Sequence, residues 1–323
     1  MGKFQKLRQV KGSGFLFRMY DFVMHTLGLF HLKAKIKQKR LFRQLKNEDA
    51  KKKREIEELI YSLPDNLIDN MIDCNDFVFS LTSYSYRVTD ALPYALYSII
   101  SQTIKPKKIV VYLDNVNWNN ENLPSILKKL RNIGVDFRFC EDLKSYKKLI
   151  PTLIDFPDNP IITLDDDFYY NTNYHEWMRC AYDKSDKKTV LGQWGCIPEK
   201  NNGKYIPYNE WKDIKYLQEG DEISFFGCCC CCYPPHIFDS EILKKEVFMK
   251  LCPTADDIWF WVMEKRLGIK TKLIEPCGYG LNTLVNRIEE YDLSQKGTLM
   301  YQNVANGKNN KQLLDLLTYY NLQ

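Results

Sequence analysis

The sequence has 323 residues, enough for one large or two small domains, and its 45% hydrophobic and 27% charged residues are those of a folded protein rather than a disordered one. The net charge of +5 is unevenly distributed, because residues 1–54 carry 16 Lys and Arg against three acidic residues and the remainder has a net charge of −8. A basic arm joined to an acidic globule predicts that the arm meets an anionic surface, either a membrane or a nucleic acid.

The basic arm has an aromatic, apolar part followed by a helix-like basic part. Residues 15–30 are interrupted by Arg18, Asp21 and His25, so they are too polar for a transmembrane span, and they lack a secretory cleavage site. Residues 33–54 form the basic run. This combination favours anchoring on an anionic membrane surface. The alternatives are a helix that packs on its own domain with a solvated basic face, and nucleic-acid binding, for which no motif is present.

Strand-like and helix-like segments alternate along the chain from about residue 76. The predicted strands are residues 77–82, 108–113, 135–139 and 161–165, and the predicted helices between them are residues 91–102, 121–132 and 143–154. This order predicts βαβ units and therefore a mainly parallel sheet flanked by helices. Ligands of such sheets bind beyond the carboxyl ends of the strands. The polar residues predicted at those ends are Thr82, Ser83, Asp114 and the aspartates that follow residue 164.

Three consecutive carboxylates, Asp165, Asp166 and Asp167, follow an apolar, strand-like run. Adjacent carboxylates repel one another, so a divalent cation is expected beside them, and Mg²⁺ or Mn²⁺ binds carboxylate and phosphate oxygens. In an extended strand, Asp165 and Asp167 would project to one side and Asp166 to the other. We therefore expect the first and third aspartates to act together, with a separate task for the second. A solvated acidic turn is the alternative interpretation.

Five of the 11 cysteines are consecutive, Cys228 to Cys232. Neighbouring side chains on a strand point to opposite faces, so this run does not form a disulfide framework. A zinc site is the less favoured alternative, because a structural site would need a second pair of ligands near by. We interpret the run as small, buried thiols of a protein in a reducing cytoplasm.

A second acidic pair, Asp256 and Asp257, lies at the start of a predicted helix. Thr254 is a good N-cap, and acidic residues in the first turn stabilise the helix dipole, so a purely structural role is one interpretation of the pair. A catalytic carboxylate is the other.

The sequence has no G-x-G-x-x-G or G-x-x-x-x-G-K-[ST] loop, which argues against a dehydrogenase or a P-loop protein. Seven segments carry a different pattern, at residues 81–87, 92–102, 108–110, 146–149, 162–167, 233–235 and 256–259. Their order and spacing resemble the GT-A-fold nucleotide-sugar glycosyltransferases, in particular family-2-like enzymes of bacterial cell-surface polysaccharide synthesis. The resemblance covers roughly residues 76–280.

The resemblance implies roles for the polar residues at the ends of the predicted strands. Asp167 would bind the Mn²⁺ or Mg²⁺ of the metal–diphosphate directly, together with Asp165, which would also lie near the ribose, and Asp166 falls in the same donor site. The other implied donor-binding residues are Thr82, Ser83 and Arg87 in the nucleotide pocket, Asp114 at the base or ribose, and Lys148 at the phosphates. For Arg87 and Lys148, a plain surface charge is the alternative.

For the acceptor half, the resemblance implies that Asp257, or else Asp256, is the general base of an inverting transfer. Many such enzymes add a histidine ligand from the C-terminal part, but none of the four histidines follows Asp257. His236, next to two prolines, is the alternative ligand, although a surface or core role is the favoured interpretation. Trp194 and Trp211 lie in polar, loop-like segments and are candidates for stacking on a sugar ring.

These patterns together predict an α/β protein of the GT-A (Rossmann-like) class with a basic helical N-terminal arm. We expect the arm at residues 1–75, a catalytic domain at 76–290 and a C-terminal helical tail at 291–323. The nucleotide-binding half of the domain would be residues 76–170 and the acceptor half residues 171–290. The tail should include an amphipathic helix at residues 312–322.

The expected function is transfer of a sugar, with a UDP-sugar as favoured donor, to a surface glycan or a lipid-linked acceptor. The expected place is the cytoplasm, peripheral at the inner face of the cytoplasmic membrane, with no nucleic-acid partner. A metal-dependent nucleotidyltransferase is the alternative enzyme, although it usually has a glycine-rich phosphate loop near the first strand. A catalytically inactive glycan-binding or scaffold protein is the alternative outside enzymes.

Overall fold

The computed structural model describes residues 29–69, 76–214, 222–227, 231–274, 281–282, 303 and 307–322. The chain divides into two compact units, residues 1–52 and residues 53–323. Three predicted features lie outside the described residues: most of the aromatic part of the arm, Cys228 to Cys230, and the first part of the C-terminal tail. No helix within the described ranges is long and apolar enough to cross a membrane.

The basic run forms part of one long helix, α1 (Leu29–Ser62), which confirms the predicted helix. The part of α1 that belongs to the larger unit buries Ile60 completely. In the same unit, Glu57 accepts a hydrogen bond of 2.6 Å from the hydroxyl of Tyr94. These contacts explain why the helix continues beyond the basic run, since its last turns carry apolar side chains into a core.

The strands of the described residues are short, and those of the larger unit build one central sheet and three small ones. They are β1 (Val78–Thr82), β2 (Lys108–Asp114), β3 (Asp136–Cys140), β4 (Ile161–Leu164), β5 (Tyr169–Tyr170), β6 (Val190–Gly192), β7 (Gly195–Ile197), β8 (Lys200–Asn201), β9 (Lys204–Tyr205), β10 (Lys212–Ile214), β11 (Ser224–Phe225), β12 (Cys231–Tyr233), β13 (Thr271–Leu273) and β14 (Leu281–Asn282).

The central sheet has the order β13-β6-β12-β4-β1-β2-β3. β12 runs antiparallel to β4 and β6, and the other neighbouring pairs are parallel. The predicted mainly parallel α/β sheet of the GT-A (Rossmann-like) class is therefore confirmed. Because Leu81 pairs with Leu164 and Asp114 with Cys140, the carboxyl ends of β1 to β4 meet at one edge of the sheet.

Helices cover both faces of this sheet. They are α2 (Arg87–Asp90), α3 (Leu92–Ile100), α4 (Ser125–Ile133), α5 (Ile150–Asp155), α6 (Tyr174–Asp183), α7 (Lys245–Leu251), α8 (Asp256–Leu267) and α9 (Lys308–Tyr319). Along β4, Ile162 and Leu164 pack into one apolar cluster and Ile161 into another. Three of the four residues of this strand are apolar and the fourth, Thr163, is buried as well, as expected for a strand with both faces covered.

The single helix predicted for residues 143–154 is interrupted at Leu149. A 3₁₀ helix, Lys144–Lys148, ends there, and α5 begins at Ile150 with Pro151 in its first turn. Proline lacks the amide hydrogen that an uninterrupted helix would need, but it fits the first turn of a new helix. The break leaves Lys148 as the last residue of the 3₁₀ helix.

The described part of the cysteine run agrees with its interpretation as buried thiols. Cys231 and Cys232 are buried in β12 and lie outside any disulfide. Cys231 packs into one apolar cluster and Cys232 into the other, as strand alternation predicts.

The helix predicted near the C-terminus is confirmed as α9, although it begins at Lys308. It buries Leu313, Leu316 and Leu317. Asn310 on α9 also accepts a hydrogen bond of 3.1 Å from the backbone amide of Asn209. The C-terminal helix therefore supports the loop that contains residue 209.

His175 on α6 is completely buried, with its Nδ1 atom 2.7 Å from the carbonyl oxygen of Ile104. Burial lowers the pKa of this imidazole to about 4. The unfolded chain binds a proton here near pH 6.5 and the folded chain only near pH 4, so folding stability should decline as the pH falls through this window. We expect a contribution of about 2 to 3 kcal/mol between pH 7 and pH 4.5.

Urea unfolding of the wild type and of His175→Phe at these two pH values measures that contribution. The variant should lose less stability on acidification than the wild type, and an equal loss in both proteins would contradict the assignment.

Candidate active site

Three aspartates, Asp165 to Asp167, form an acidic turn directly after β4. Asp166 is buried and accepts hydrogen bonds from the Ser83 hydroxyl at 2.5 Å and from Arg87 Nη1 at 3.0 Å. Arg87 Nη2 lies 2.7 Å from an oxygen of Asp167. Burial raises the pKa of Asp166, and Arg87 and Ser83 act in the opposite direction. One guanidinium at the start of α2 therefore contacts two neighbouring carboxylates.

This arrangement corrects the predicted geometry of the acidic turn. β4 ends at Leu164, so strand alternation no longer decides where the following side chains point. Asp166 and Asp167 face the same cation, Arg87, whereas Asp165 pairs with a lysine. The prediction that the first and third aspartates share one side, apart from the second, is wrong.

Lys148 joins the acidic turn to the second half of the protein. Its ammonium lies 2.9 Å from Asp165 Oδ1, 3.0 Å from the carbonyl oxygen of Gly227 and 3.4 Å from Asp256 Oδ2. The lysine is buried. A Cβ atom at Gly227 would come within 2.7 Å of the ammonium, so the glycine leaves room for this contact. Lys148, predicted to reach the donor phosphates, here donates its hydrogen bonds to protein oxygens.

Asp256 and Asp257 are the first two residues of α8, whose N-cap is Ala255. The prediction of Thr254 as N-cap is wrong, because the amide of Thr254 donates to Gln312 Oε1 on α9 at 2.9 Å and its hydroxyl faces Asn303 Oδ1 and Gln312 Oε1, at 2.7 and 3.0 Å. The C-terminal helix therefore fixes the residues that lead into the acidic pair.

The two carboxylates of this pair have different surroundings. Asp256 is 7% exposed and pairs with Lys148. Asp257 is partly exposed, and its two oxygens accept hydrogen bonds from the amide of Ile258 at 3.0 Å and from the hydroxyl of Tyr208 at 3.3 Å. Burial, together with the charge of Asp256, raises the pKa of Asp257 to about 7. A carboxyl with a pKa near neutrality suits proton transfer, so Asp257 is the better candidate for a general base.

A cavity of about 390 Å³ opens beside the end of β2. Its lining residues are Tyr84, Ser85, Asp114, Asn117, Trp118 and Asp142. Asp114 is buried, and its Oδ1 atom accepts hydrogen bonds from the backbone and side-chain nitrogens of Asn117, both at 2.8 Å. Aromatic side chains beside a fixed carboxylate suit a flat ring with hydrogen-bonding edges, such as a nucleobase.

Two of the predicted donor-binding residues, Thr82 and Arg87, lie at this edge of the sheet and contact other parts of the protein. The Thr82 hydroxyl donates to the carbonyl oxygen of Tyr112 at 2.9 Å and so links β1 to β2. The guanidinium of Arg87 lies 5.5 Å from the centre of the Tyr84 ring, which lines the cavity. Arg87 therefore lies between the cavity and the acidic turn.

The two tryptophans predicted to stack on sugar have different positions. Trp211 is 7% exposed, donates from Nε1 to the carbonyl oxygen of Ile206 at 3.1 Å and packs 5.1 Å from Trp261. It is a core residue, and the prediction for it is wrong. Trp194 is partly exposed and meets Phe226 edge to face, with ring centres 5.4 Å apart.

His236 is exposed, and its Nε2 atom lies 3.0 Å from Asp158. Asp158 precedes β4, so this pair is at the amino end of the strand, whereas the acidic turn follows its carboxyl end. The expected structural role of His236 is consistent with this position.

Among the described residues, the carboxylates near Lys148 and Arg87 exceed these two cations in number. The acidic turn and Asp256 together supply four carboxylates, and their oxygens are the hard ligands that Mg²⁺ and Mn²⁺ prefer. Asp165 and Asp167 supply oxygens of this kind, and their role as metal ligands stays a prediction. The described ranges contain no group of three or more His, Cys, Asp or Glu side chains already arranged around a metal position.

Sequence reasoning missed two residues of this site, Tyr208 and Gly227. Tyr208 lies 49 positions from its partner Asp257, and Gly227 lies 79 positions from Lys148. Tyr208 has no local signal, because it is one of 21 tyrosines. For Gly227, the single glycine between Phe226 and the cysteine run could have indicated a close approach of backbone to another group.

No protein-family model and no curated protein matches this sequence. Among solved structures, residues 1–349 of TarS from S. aureus are 13% identical, with a TM-score of 0.42 over 76% of this chain and 72% of that chain. The mannosyltransferase PcManGT from Pyrobaculum calidifontis, solved with GDP-Man and Mn²⁺, is 11% identical, with a TM-score of 0.42 over 87% of this chain and 82% of that one.

CMP:2-keto-3-deoxy-manno-octonic acid synthetase, solved with CTP, is 11% identical, with a TM-score of 0.41 over 69% of this chain and 100% of that chain. The similar structures thus include both glycosyltransferases and nucleotidyltransferases. At these identities and TM-scores they do not identify a family, and the assignment of function depends on the chemistry of the site.

Proposed function

We propose that this protein is a metal-dependent glycosyltransferase that moves a sugar from a nucleotide sugar to a hydroxyl of a glycan or lipid-linked acceptor, with inversion at the anomeric carbon. One observation carries the proposal. Lys148 contacts both Asp165 of the acidic turn and Asp256, the neighbour of Asp257. Carboxylates suited to a metal–diphosphate and a carboxyl suited to proton removal are therefore held close together by a single side chain.

The cavity at the end of β2 supports a uracil base in the donor. Asp114 Oδ1 is engaged by Asn117, and its Oδ2 atom accepts no hydrogen bond from the described residues. A carboxylate oxygen can accept the N3–H of uracil but repels the lone pair that cytosine carries at N3. Thymine and guanine also present a ring N–H, so Asp114 favours these bases and uracil over cytosine; among them we propose uracil, with the base beside Asp114 and the diphosphate toward the acidic turn.

The reaction follows from the positions of the carboxylates. Asp257 removes the proton from an acceptor hydroxyl while the oxygen of that hydroxyl forms a bond to the anomeric carbon. The bond from the anomeric carbon to the diphosphate breaks, and UDP leaves with the electron pair. A divalent cation, when bound by Asp167 and Asp165, supplies positive charge to the leaving diphosphate. Arg87 and Lys148 hold the acidic turn in place around this position.

Two aromatic side chains support a glycan as acceptor. Trp194 is partly exposed and packs against Phe226, which precedes the Gly227 carbonyl bound by Lys148. An aromatic pair this close to the acidic side chains suits apolar contact with the face of a sugar ring.

We also propose that α1 attaches the protein to the inner face of the cytoplasmic membrane. Ile36 and Leu41 are exposed on this helix among lysines and arginines. Apolar side chains beside basic ones favour binding to anionic lipid headgroups.

The donor can be tested by thermal unfolding with Mn²⁺ and UDP-, GDP-, CMP- or dTDP-sugars. A ligand at 100 times its dissociation constant stabilises a protein by about 2.7 kcal/mol. We expect that stabilisation with UDP-sugars and Mn²⁺, and little from CMP-sugars. Asp114→Asn, which replaces one acceptor oxygen by a donor, should lose the preference for UDP over CMP. Stabilisation that is equal for all four bases, or independent of Asp114, would contradict the donor assignment.

A further inference from the structure

Tyr208 reaches the candidate base from outside the central sheet. It opens a 3₁₀ helix, Tyr208–Glu210, in the connection between β9 and β10. Its hydroxyl donates a hydrogen bond of 3.3 Å to Asp257 Oδ2, across 49 positions of sequence. The other oxygen of Asp257 is held by the amide of Ile258 within α8. Among the described residues, Tyr208 is thus the side chain whose hydrogen bond orients this carboxyl from another element.

The phenol ring is held by an aromatic contact and by a hydrogen bond of the next residue. Tyr208 is 8% exposed, and its ring centre lies 5.0 Å from that of Trp211, which in turn packs against Trp261 of α8. The next residue, Asn209, donates its amide to Asn310 on α9. Trp211 contacts α8 directly, and Asn209 is bound to α9, which packs on α8. The hydroxyl of Tyr208 therefore has little freedom to leave Asp257.

We propose that Tyr208 is the positioning residue of the catalytic base: its hydroxyl holds the carboxyl of Asp257 in one orientation and stabilises the charged form that accepts the proton of the acceptor. This inference rests on the proposed glycosyl transfer. Burial and the nearby Asp257 keep the pKa of Tyr208 well above 10, so the phenol remains a donor at any pH at which the enzyme works.

Four other titratable side chains of the described residues face Asp257. They are Asp256 on α8, Lys148 and Tyr146 on the 3₁₀ helix Lys144–Lys148, and Cys252. Asp256 raises the pKa of Asp257, and Lys148 and Tyr208 lower it. Lys148 also binds Asp165 and Gly227, so its removal would disturb the donor site, whereas the Tyr208 hydroxyl faces Asp257 and the buried thiol of Cys196.

Tyr208→Phe tests the role through the pH profile of kcat/KM. Loss of a hydrogen bond to the charged carboxyl should move the acidic limb upward from about pH 7 by about half to one pH unit. The rate at pH 6 should then fall about three- to tenfold, the rate at pH 9 should stay close to that of the wild type, and KM for the donor should not change.

Tyr205→Phe is the matched control. Tyr205 is the last residue of β9, three positions before Tyr208, and its replacement removes a comparable phenol hydrogen bond, of 3.0 Å to Glu222, that does not involve Asp257. The proposal is overturned if Tyr208→Phe leaves the acidic limb in place, or if Tyr205→Phe moves it by the same amount.

A second measurement tests the role of Tyr208 independently of glycosyl transfer. The pKa of the Asp257 carboxyl can be measured by ¹³C NMR on protein labelled at aspartate, with Asp257→Asn to assign the signal. A higher pKa in Tyr208→Phe supports the pairing even where no donor is turned over, and absence of turnover by the wild type would then count against the transferase alone. An unchanged pKa overturns the role of Tyr208.

Discussion

Replacement of Asp257 by asparagine should lower kcat/KM for sugar transfer by about 10²- to 10⁴-fold, the usual contribution of a general base. Asparagine has nearly the same shape and can still accept a hydrogen bond from Tyr208, but it cannot take up a proton at neutral pH. Because the variant removes a carboxyl whose burial raises its pKa, the fold should not be weakened. Unfolding of the two proteins by urea provides that check.

The role of Asp257 as a base also predicts how kcat/KM changes with pH. In the wild type, Asp257 with a pKa of about 7 is protonated at lower pH and cannot act as a base, so kcat/KM should fall about tenfold for each pH unit below 7. Asp257→Asn should lose this limb. Asp256→Asn retains the base and should keep it. A larger loss of activity in Asp256→Asn than in Asp257→Asn, or a limb that persists without Asp257, would show that the base is assigned to the wrong residue.

Replacement of Lys148 by methionine should cost about 3 to 5 kcal/mol of folding free energy, because it leaves partly buried carboxylates without their shared cation. The side chains of Lys148, Asp165 and Asp256 are 6%, 25% and 11% exposed, so water can replace the lost contacts only in part. Methionine has a similar length and fills the space of the lysine stem. The loss should therefore come from charge rather than from a cavity.

Lys147→Met is a matched control for this experiment. Lys147 is the adjacent residue and is equally buried, but its partner Asp142 is 55% exposed and can be hydrated when the lysine is removed. We expect a distinctly smaller loss in Lys147→Met. Equal free energies of unfolding for the two variants, measured in urea, would contradict the role of Lys148 as the cation that joins the two halves of the site.

The sequence was informative wherever one strand or one turn decides the structure. The apolar run before Asp165 is a strand because both of its faces are covered, and it ends where the charges begin. Asp114 is the last residue of β2 and lines the cavity. Since parallel strands end at the same edge of a sheet, the convergence of these residues could be predicted without knowledge of the contacts between them.

Contacts between distant segments could not be predicted in the same way. The pairing of Asp166 with Arg87 spans 79 positions, and strand alternation gave the wrong side for the aspartates because β4 ends just before them. Trp211 lies in a polar stretch of sequence, yet it packs against Trp261 of α8. In each case the decisive partner belongs to another element, and single-sequence periodicity carries no information about it.

The most direct test of the proposed glycosyl transfer is ³¹P NMR of the protein incubated with Mg²⁺ and a UDP-sugar, with water or added glycan as acceptor. The proposal predicts that the two phosphorus signals of the donor are replaced by those of UDP, and that Asp257→Asn slows this change. Formation of pyrophosphate from UTP and a sugar 1-phosphate, without release of UDP from the UDP-sugar, would identify a nucleotidyltransferase. A donor that binds but remains intact with every acceptor offered would contradict the proposed transfer and favour a glycan-binding or scaffold protein.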